Sequence, residues 1–136
     1  IVKPPYGVIA GIDLSAGGKL MFQTPHGDTP DNVRNHPLLK GIDVPKTGQG
    51  NSVGIMVTKT VLVAGDPQLT QPPGRGRGAM LRAYDKKTGA EVGAVYMPAP
   101  QTGSPMTYSI GGMQYITVSV SAPGFPGELI AYRLGK

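Results

Sequence analysis

The sequence predicts an all-β protein in which four-stranded antiparallel sheets recur along the chain as the blades of a β-propeller. Three observations carry this. One phrase repeats: Leu81-Arg82-Ala83-Tyr84-Asp85-Lys86-Lys87-Thr88-Gly89 echoes Ile9-Ala10-Gly11-Ile12-Asp13-Leu14-Ser15-Ala16-Gly17, and Leu129-Ile130-Ala131-Tyr132-Arg133-Leu134-Gly135 begins it again. A Val- and Thr-rich stretch at residues 52–65 has its own echo at residues 104–121, upstream of the last two copies. Finally, 21 Gly and 14 Pro, about a quarter of 136 residues, punctuate the chain without the strict period of collagen. A strand unit returning at roughly 50–70 residues is the mark of a repeat architecture. Each repeat buries its faces against neighbours, and about three are needed for stability. The chain holds about two to two and a half such units, so it is expected to be part of something larger.

The elements follow in order. Residues 6–14 carry β-branched Val8, Ile9 and Ile12 and end in Asp13-Leu14-Ser15-Ala16-Gly17-Gly18. An Asp at a turn start bonds amides two residues on and Gly supplies positive φ, so this is a hairpin corner, with residues 19–24 as the return strand. Residues 25–51 hold four prolines and several glycines, a loop long enough to be functional or a cover; residues 31–39 are its one place for a short helical turn. Residues 53–57 and 60–64 make the next strand pair, and residues 66–78 a Pro/Gly loop. Residues 79–85 and 90–97 flank the second Asp turn. Residues 105–108 and 114–119 surround Gly111-Gly112, a strong hairpin signal. Pro123-Gly124-Phe125-Pro126-Gly127 is expected to break the run before a closing strand at residues 128–133. The units are then residues 1–24 (the end of one blade), 52–97 (a second blade) and 104–136 (a last, incomplete blade).

Composition narrows the function classes. Charged residues are 15% of the chain and the net charge is +5, a mild and scattered balance. Arg75 and Arg77 in Pro72-Pro73-Gly74-Arg75-Gly76-Arg77-Gly78 look like an RNA-binding Gly/Arg segment, but one short example beside strand signals reads as a loop tip. With two Phe and no Trp, a base-stacking platform has little to build on, and no nucleic-acid partner is expected. The absence of cysteine removes disulfides, thiolate metal sites and thiol nucleophiles. No apolar run approaches the roughly 18–20 residues of a spanning helix. Starting at Ile1 with no initiator Met, the chain reads as a piece of a longer precursor.

The second Asp turn has the form Ala-x-Asp-x-x-Thr-Gly, as Ala83-Tyr84-Asp85-Lys86-Lys87-Thr88-Gly89. It resembles the tryptophan-docking motif of the quinoprotein alcohol and sugar dehydrogenases, eight-bladed propellers that bind pyrroloquinoline quinone (PQQ). Further segments, among them Thr24-Pro25-His26-Gly27-Asp28, Gly93-Ala94-Val95-Tyr96-Met97-Pro98 and Ser104-Pro105-Met106-Thr107-Tyr108, are similar to the C-terminal end of the membrane-type glucose dehydrogenase branch, in order and over nearly the whole chain. In that family a Trp four residues after the motif Gly stacks between blades. Here those positions are Met21 and Gly93, with Phe22 adjacent, so the docking contact is expected to be weakened. The resemblance implies oxidation of a sugar or alcohol by hydride transfer to PQQ held with Ca²⁺, and a quinone or cytochrome electron acceptor. It also implies a periplasmic location, with membrane association through a missing N-terminal segment, and the remainder of the propeller as partner. The catalytic base and metal ligands of the family lie in earlier blades, and no residue here matches them. Asn51, Ser52, Val53 and Gly54 correspond to a stretch near the quinone, and Gly124 and Phe125 to a Gly-Trp pair against it. The fragment alone is expected to be inactive; the alternative is a non-catalytic propeller used as a binding or scaffold module.

Other constellations have plainer readings. His26, Asp28, Asp31 and His36 share one irregular loop without zinc-site spacing, and read as a polar loop tied down by its own hydrogen bonds. Asp13 and Asp85 sit in matching turns and read as amide-bonding turn residues rather than an acid/base pair. Residues 74–78 lack the Lys-Ser/Thr ending of a phosphate loop. Phe125 is either a plug closing the last blade or a ring for stacking on a flat quinone.

Overall fold

The computed structural model describes residues 2–71 and 74–135; of the Pro/Gly loop expected at residues 66–78, Pro72 and Pro73 lie outside the described residues. Nine strands form three antiparallel sheets among these residues. The first pairs β1 (Val8–Asp13) with β2 (Lys19–Pro25). The second is four-stranded in the order β3 (Met56–Val57), β4 (Val61–Gly65), β5 (Ala79–Asp85), β6 (Glu91–Met97). The third runs β7 (Met106–Ile110), β8 (Met113–Ala122), β9 (Phe125–Arg133). This is the partial-propeller architecture that the repeats predict. Among the described residues no helix is long and apolar enough to cross a membrane.

Local chemistry accounts for the hairpins. Asp85 Oδ1 accepts from the amides of Lys87 and Thr88 and from the Thr88 hydroxyl, at 2.8–3.0 Å. Asp13 Oδ1 does the same for Ser15 and Ala16. Both carboxyl groups are held below the usual carboxylate range, Asp13 first by the Ser15 hydroxyl and Asp85 first by the Thr88 amide. Both are turn residues, as their shared context indicates. Gly111 and Gly112, at φ 58° and 74°, join Ile110 to its partner Met113 in a type I′ turn.

Two expectations are corrected and a third is met. The first strand of the second sheet is only Met56–Val57, three residues later than expected, with the Gly54 carbonyl ahead of it taken by Gln101 Nε2. Pro123-Gly124 does not break the last strand: it is a two-residue turn between paired Ala122 and Phe125, with Gly124 at φ 80°. The ladder register then shifts before Val120 meets Glu128, so Pro126 and Gly127 sit in a bulge, where a missing N–H and a missing side chain are tolerated. The stretch at residues 31–39 forms a single α turn, α1 (Asp31–Arg34), and then a 3₁₀ turn at Pro37–Leu39.

The period-two alternation of strands divides the second sheet between two neighbours. Val63, Ala79, Leu81 and Met97 meet Val118 and Val120 of the third sheet in one core. Leu62, Ala64 and Tyr84 meet Ile9 and Phe22 of the first sheet in another. All strand ends joined by long loops lie at one end of these sheets, and the Asp turns at the other.

The docking contact is present, contrary to the expectation. The first Asp turn is one residue longer than the second: the backbone N–H bonding back to the Asp carbonyl belongs to Gly18 in one and Gly89 in the other. Phe22 pairs with Gly11 as Gly93 pairs with Ala83, so Phe22, not Met21, occupies the docking register. Its ring covers Gly89 of the next sheet so closely that a Cβ there would lie 2.2 Å from it, and Thr24 Oγ1 donates to the Gly89 carbonyl at 2.9 Å. At the following interface the same register holds Gly93, with open space about its α-carbon, beside an apolar cleft of about 400 Å³.

Candidate functional site

The long-loop end is stitched together at Gly65, the last residue of β4. On one side the Gly65 carbonyl accepts from His26 Nε2 at 3.0 Å; on the other its N–H donates to Gln101 Oε1 at 2.6 Å. Gln101 continues the seam: its Nε2 donates to the carbonyls of Gly54 and Gly103, and its backbone bridges to Val120. One buried glutamine therefore spans the second and third sheets. It also holds the Gly54 end of the segment at residues 51–54 expected to face a cofactor.

His26 is buried and fully engaged. With Nε2 donating to Gly65, Nδ1 is the acceptor for the Tyr84 hydroxyl at 2.9 Å. Burial holds this imidazole below its ordinary range, outweighing the Gly65 carbonyl and the Asp66 charge that raise it, and burial pushes the Tyr84 phenol up. A neutral ring with both nitrogens committed is a structural clamp rather than a base. Beside it lies an ion cluster. Arg82, 4% exposed, is bidentate to Asp66 at 2.6 and 2.9 Å, and meets Asp28 at 3.0 Å and Glu91 at 3.0 Å. Burial alone would lower its pKa, but Asp66, then Asp28 and Glu91, raise it.

The polar loop is thus tied down, chiefly to the next sheet. His26 and Asp28 bind the second sheet; Asp31 pairs with Arg34 of its own turn at 3.8 Å; His36 Nδ1 accepts from the Leu38 amide at 3.2 Å. Among the described residues no three His, Asp or Glu side chains converge as a metal site would require. The Gly/Arg stretch closes on itself through paired Thr70 and Gly78, with Arg75 over the Tyr96 ring at 5.7 Å.

Asn51, Ser52, Val53 and Gly54 lead into β3, an edge strand of the second sheet. Asn51 takes φ 91°, the one positive φ outside glycine among the described residues. Asn51 and Ser52 are exposed, Val53 packs against the core of the first two sheets, and Gly54 approaches Ser104 so closely that a Cβ would overlap its hydroxyl. The first three of these line a pocket of about 230 Å³ with Gln49 and His26. Gly124 is an exposed turn residue, and the Phe125 ring packs against the aliphatic core between the second and third sheets.

Gln49 and Gln101 are pocket and seam residues that the sequence did not single out, whereas His26 stood out as part of a polar loop. For Gln49 a signal existed: it stands in Gly48-Gln49-Gly50. Gly48, at φ 71°, lies so close to Gly7 that a Cβ would fall 2.1 Å from the Gly7 carbonyl oxygen, as a segment pressed between loops requires.

Comparison with known proteins bears on this arrangement. The chain is 29% identical to the glycerol dehydrogenase large subunit of Gluconobacter thailandicus over 97% of its own length and 17% of the relative. With that of Gluconobacter oxydans the figures are 30%, 97% and 17%. With quinoprotein glucose dehydrogenase A of Acinetobacter calcoaceticus they are 26%, 97% and 16%. The chain therefore spans about a sixth of the length of these curated relatives. No solved structure matches it significantly. The family model for the PQQ-containing glucose/ethanol/alcohol dehydrogenase β-propeller domain matches residues 1–116. With its repeated Asp turns, a docking aromatic between sheets and a seam across the long-loop end, the chain belongs to the PQQ-dependent glucose/ethanol/alcohol dehydrogenase β-propeller family.

Proposed function

We propose that this chain is the closing portion of the propeller of a PQQ-dependent dehydrogenase that oxidises a sugar or alcohol, and that it lines part of the cofactor site without supplying the catalytic base. The observation that carries the reading is the position of Asn51 and Ser52: exposed amide and hydroxyl groups, ahead of the edge strand β3 and at the long-loop end, on the rim of a pocket in a chain of this family.

The residues present fit one edge of a polar, flat cofactor. Asn51 and Ser52 offer donors and Val53 an apolar contact, while Gly54, packed against Ser104 and bonded through its carbonyl to Gln101, anchors the end of the segment. Bound there, the quinone supplies an acceptor for a hydride equivalent from the alcohol carbon. Exposed Gly124 and the partly exposed Phe125 ring are assigned a second contact with the quinone, from the third sheet. The Ca²⁺ expected with the cofactor is assigned to residues of the remaining polypeptide, as are the base and the onward transfer of electrons to a quinone or cytochrome. A periplasmic location, with membrane attachment through another segment, belongs to the same proposal.

The test is PQQ-dependent dye reduction by the complete protein, supplied with Ca²⁺ and a panel of sugars and alcohols. Turnover that requires PQQ supports the reading. Absence of turnover across the panel by a folded, PQQ-supplied protein overturns it in favour of a non-catalytic propeller.

A further inference from the structure

The seam at the long-loop end turns on one side chain whose hydrogen-bonding positions are all filled. Gln101 is 5% exposed. Its Oε1 accepts from the Gly65 N–H at 2.6 Å, and its Nε2 donates to the carbonyls of Gly54 at 2.7 Å and Gly103 at 2.5 Å. Only a carboxamide sets an acceptor oxygen beside two N–H donors in one plane. Neither a carboxylate nor an aliphatic side chain of the same length can therefore replace it. Gly65 ends β4, Gly54 closes the segment ahead of β3, and Gly103 lies in the loop before β7.

The backbone at this point is committed as well. The Gln101 N–H donates to the Asp66 carbonyl at 3.1 Å. Its neighbours run beside the end of β8, where the Ser121 N–H donates to the Pro100 carbonyl at 3.1 Å and the Thr102 N–H to the Ser119 carbonyl at 3.0 Å. Just beyond Ser121 the chain turns through Pro123-Gly124, pairing Ala122 with Phe125. Gln101 thus stands between the two surfaces assigned to the quinone, Asn51 and Ser52 ahead of β3 and Gly124 and Phe125 on the third sheet.

This link has no slack. A Cβ added to Gly65 would lie 2.8 Å from the Gln101 stem, one on Gly54 2.0 Å from the Ser104 hydroxyl oxygen, and one on Gly103 2.6 Å from that of Ser119. Glycine lets backbones approach this closely, and a close-packed contact transmits a displacement instead of absorbing it. The apolar core below the seam is non-directional, so the spacing of the two sheets at the long-loop end is set by the seam.

We propose that Gln101 is a positioning residue that fixes the gap between the two quinone-facing surfaces, one on each sheet; the proposal rests on the cofactor reading above.

The test uses the intact protein. PQQ titrated into the cofactor-free form, and followed by the absorbance of the quinone, gives its dissociation constant. In Gln101→Leu this constant is expected to rise about tenfold, as when only a tenth of the molecules hold the competent gap. A lowered urea midpoint with an unchanged PQQ constant is the mark of a merely structural residue and overturns the proposal. Without PQQ, the distance distribution between spin labels at Ser52→Cys and Pro123→Cys should broaden on Gln101→Leu, and an unchanged distribution also counts against the clamp. If Gln101→Leu does not fold, Gln101→Glu replaces it. Its ionised carboxylate would face two carbonyls, and protonation would restore one donor. Its PQQ constant relative to wild type at the same pH should therefore fall between about pH 8 and about pH 5; a flat ratio refutes the positioning role. A wild type that binds no PQQ sinks the cofactor reading and this role with it. A wild type that binds PQQ beside a folded Gln101→Leu that binds it equally sinks the positioning role alone.

Discussion

The two faces of the second sheet are made by alternate residues of the same strands, yet they hold their neighbours by opposite chemistry. Towards the third sheet, β5 presents Ala79, Leu81 and Ala83, with Met97 of β6, to Val118 and Val120, a contact that is mainly apolar and has Gln101 at its long-loop end and the Tyr132 hydroxyl on the Tyr96 carbonyl as its polar ties. Towards the first sheet the same strand presents Arg82 and Tyr84. There a guanidinium is enclosed by Asp66, Asp28 and Glu91, and a phenol is bonded to a buried imidazole. An aliphatic contact is non-directional and scales with area, so it tolerates small slides between sheets. A buried ion cluster is satisfied only in one arrangement, and its loss leaves stranded charge. The polar interface therefore sets the angle between sheets on the side carrying Gln49 and Asn51.

That contrast can be broken most severely at Arg82. Arg82→Met leaves Asp66, 0% exposed, without its counter-ion, and is expected to cost roughly 3–5 kcal/mol in urea denaturation of the intact protein. Converting Asp66 to Leu in the same molecule should restore most of it. A loss below about 1 kcal/mol would mean that the charges are solvated and the interface is held by its few apolar contacts. On the aliphatic face, Met97→Ala empties a fully buried position and should cost about 2–3 kcal/mol. Removing a second side chain across the sheet should not rescue it, because the cavity is relieved only by added volume.

The smallest effect is one of pH. Burial lowers the pKa of His26 from its ordinary 6.5, so the unfolded chain takes up a proton that the folded chain refuses. Stability on this account is complete above about pH 6.5, falls as the pH drops towards the folded-state value, and then levels off. A plot of urea midpoint against pH should show this decline, and His26→Asn should flatten it. An unchanged slope in the variant would remove His26 from the clamp.

The two inter-sheet docking positions repeat the contrast on a smaller scale. Phe22 lies over Gly89, whereas its register equivalent Gly93 leaves an open cleft. Counting from the motif glycine places the docking residue at Met21; only the hydrogen bond from Gly18 to Asp13 shows that the first turn carries an extra residue. A one-residue change in a turn decides which side chain meets the neighbour, because strand side chains alternate faces.

Strand positions, the Asp turns, the Gly111-Gly112 hairpin and the blade repeat were legible in the sequence. Each is set within a few residues by β-branching, side-chain-to-amide bonds and positive-φ glycines. The same locality explains what was not legible. Arg82 in an alternating strand reads as solvent-facing, since its three acids stand at positions 28, 66 and 91 and meet only when the sheets stack. Phe125, between two glycine turns, reads equally as a plug or a stacking ring, and its packing against the core between the second and third sheets appears only in the tertiary structure. Gln49 reads as one polar residue in a long loop, and becomes a buried, unpaired donor only once Gly7, Gly27 and Gln68 close around it. Local rules determine what each segment becomes. Which segments exclude water from one another depends on contacts between distant parts of the chain, and that was decided by the tertiary structure.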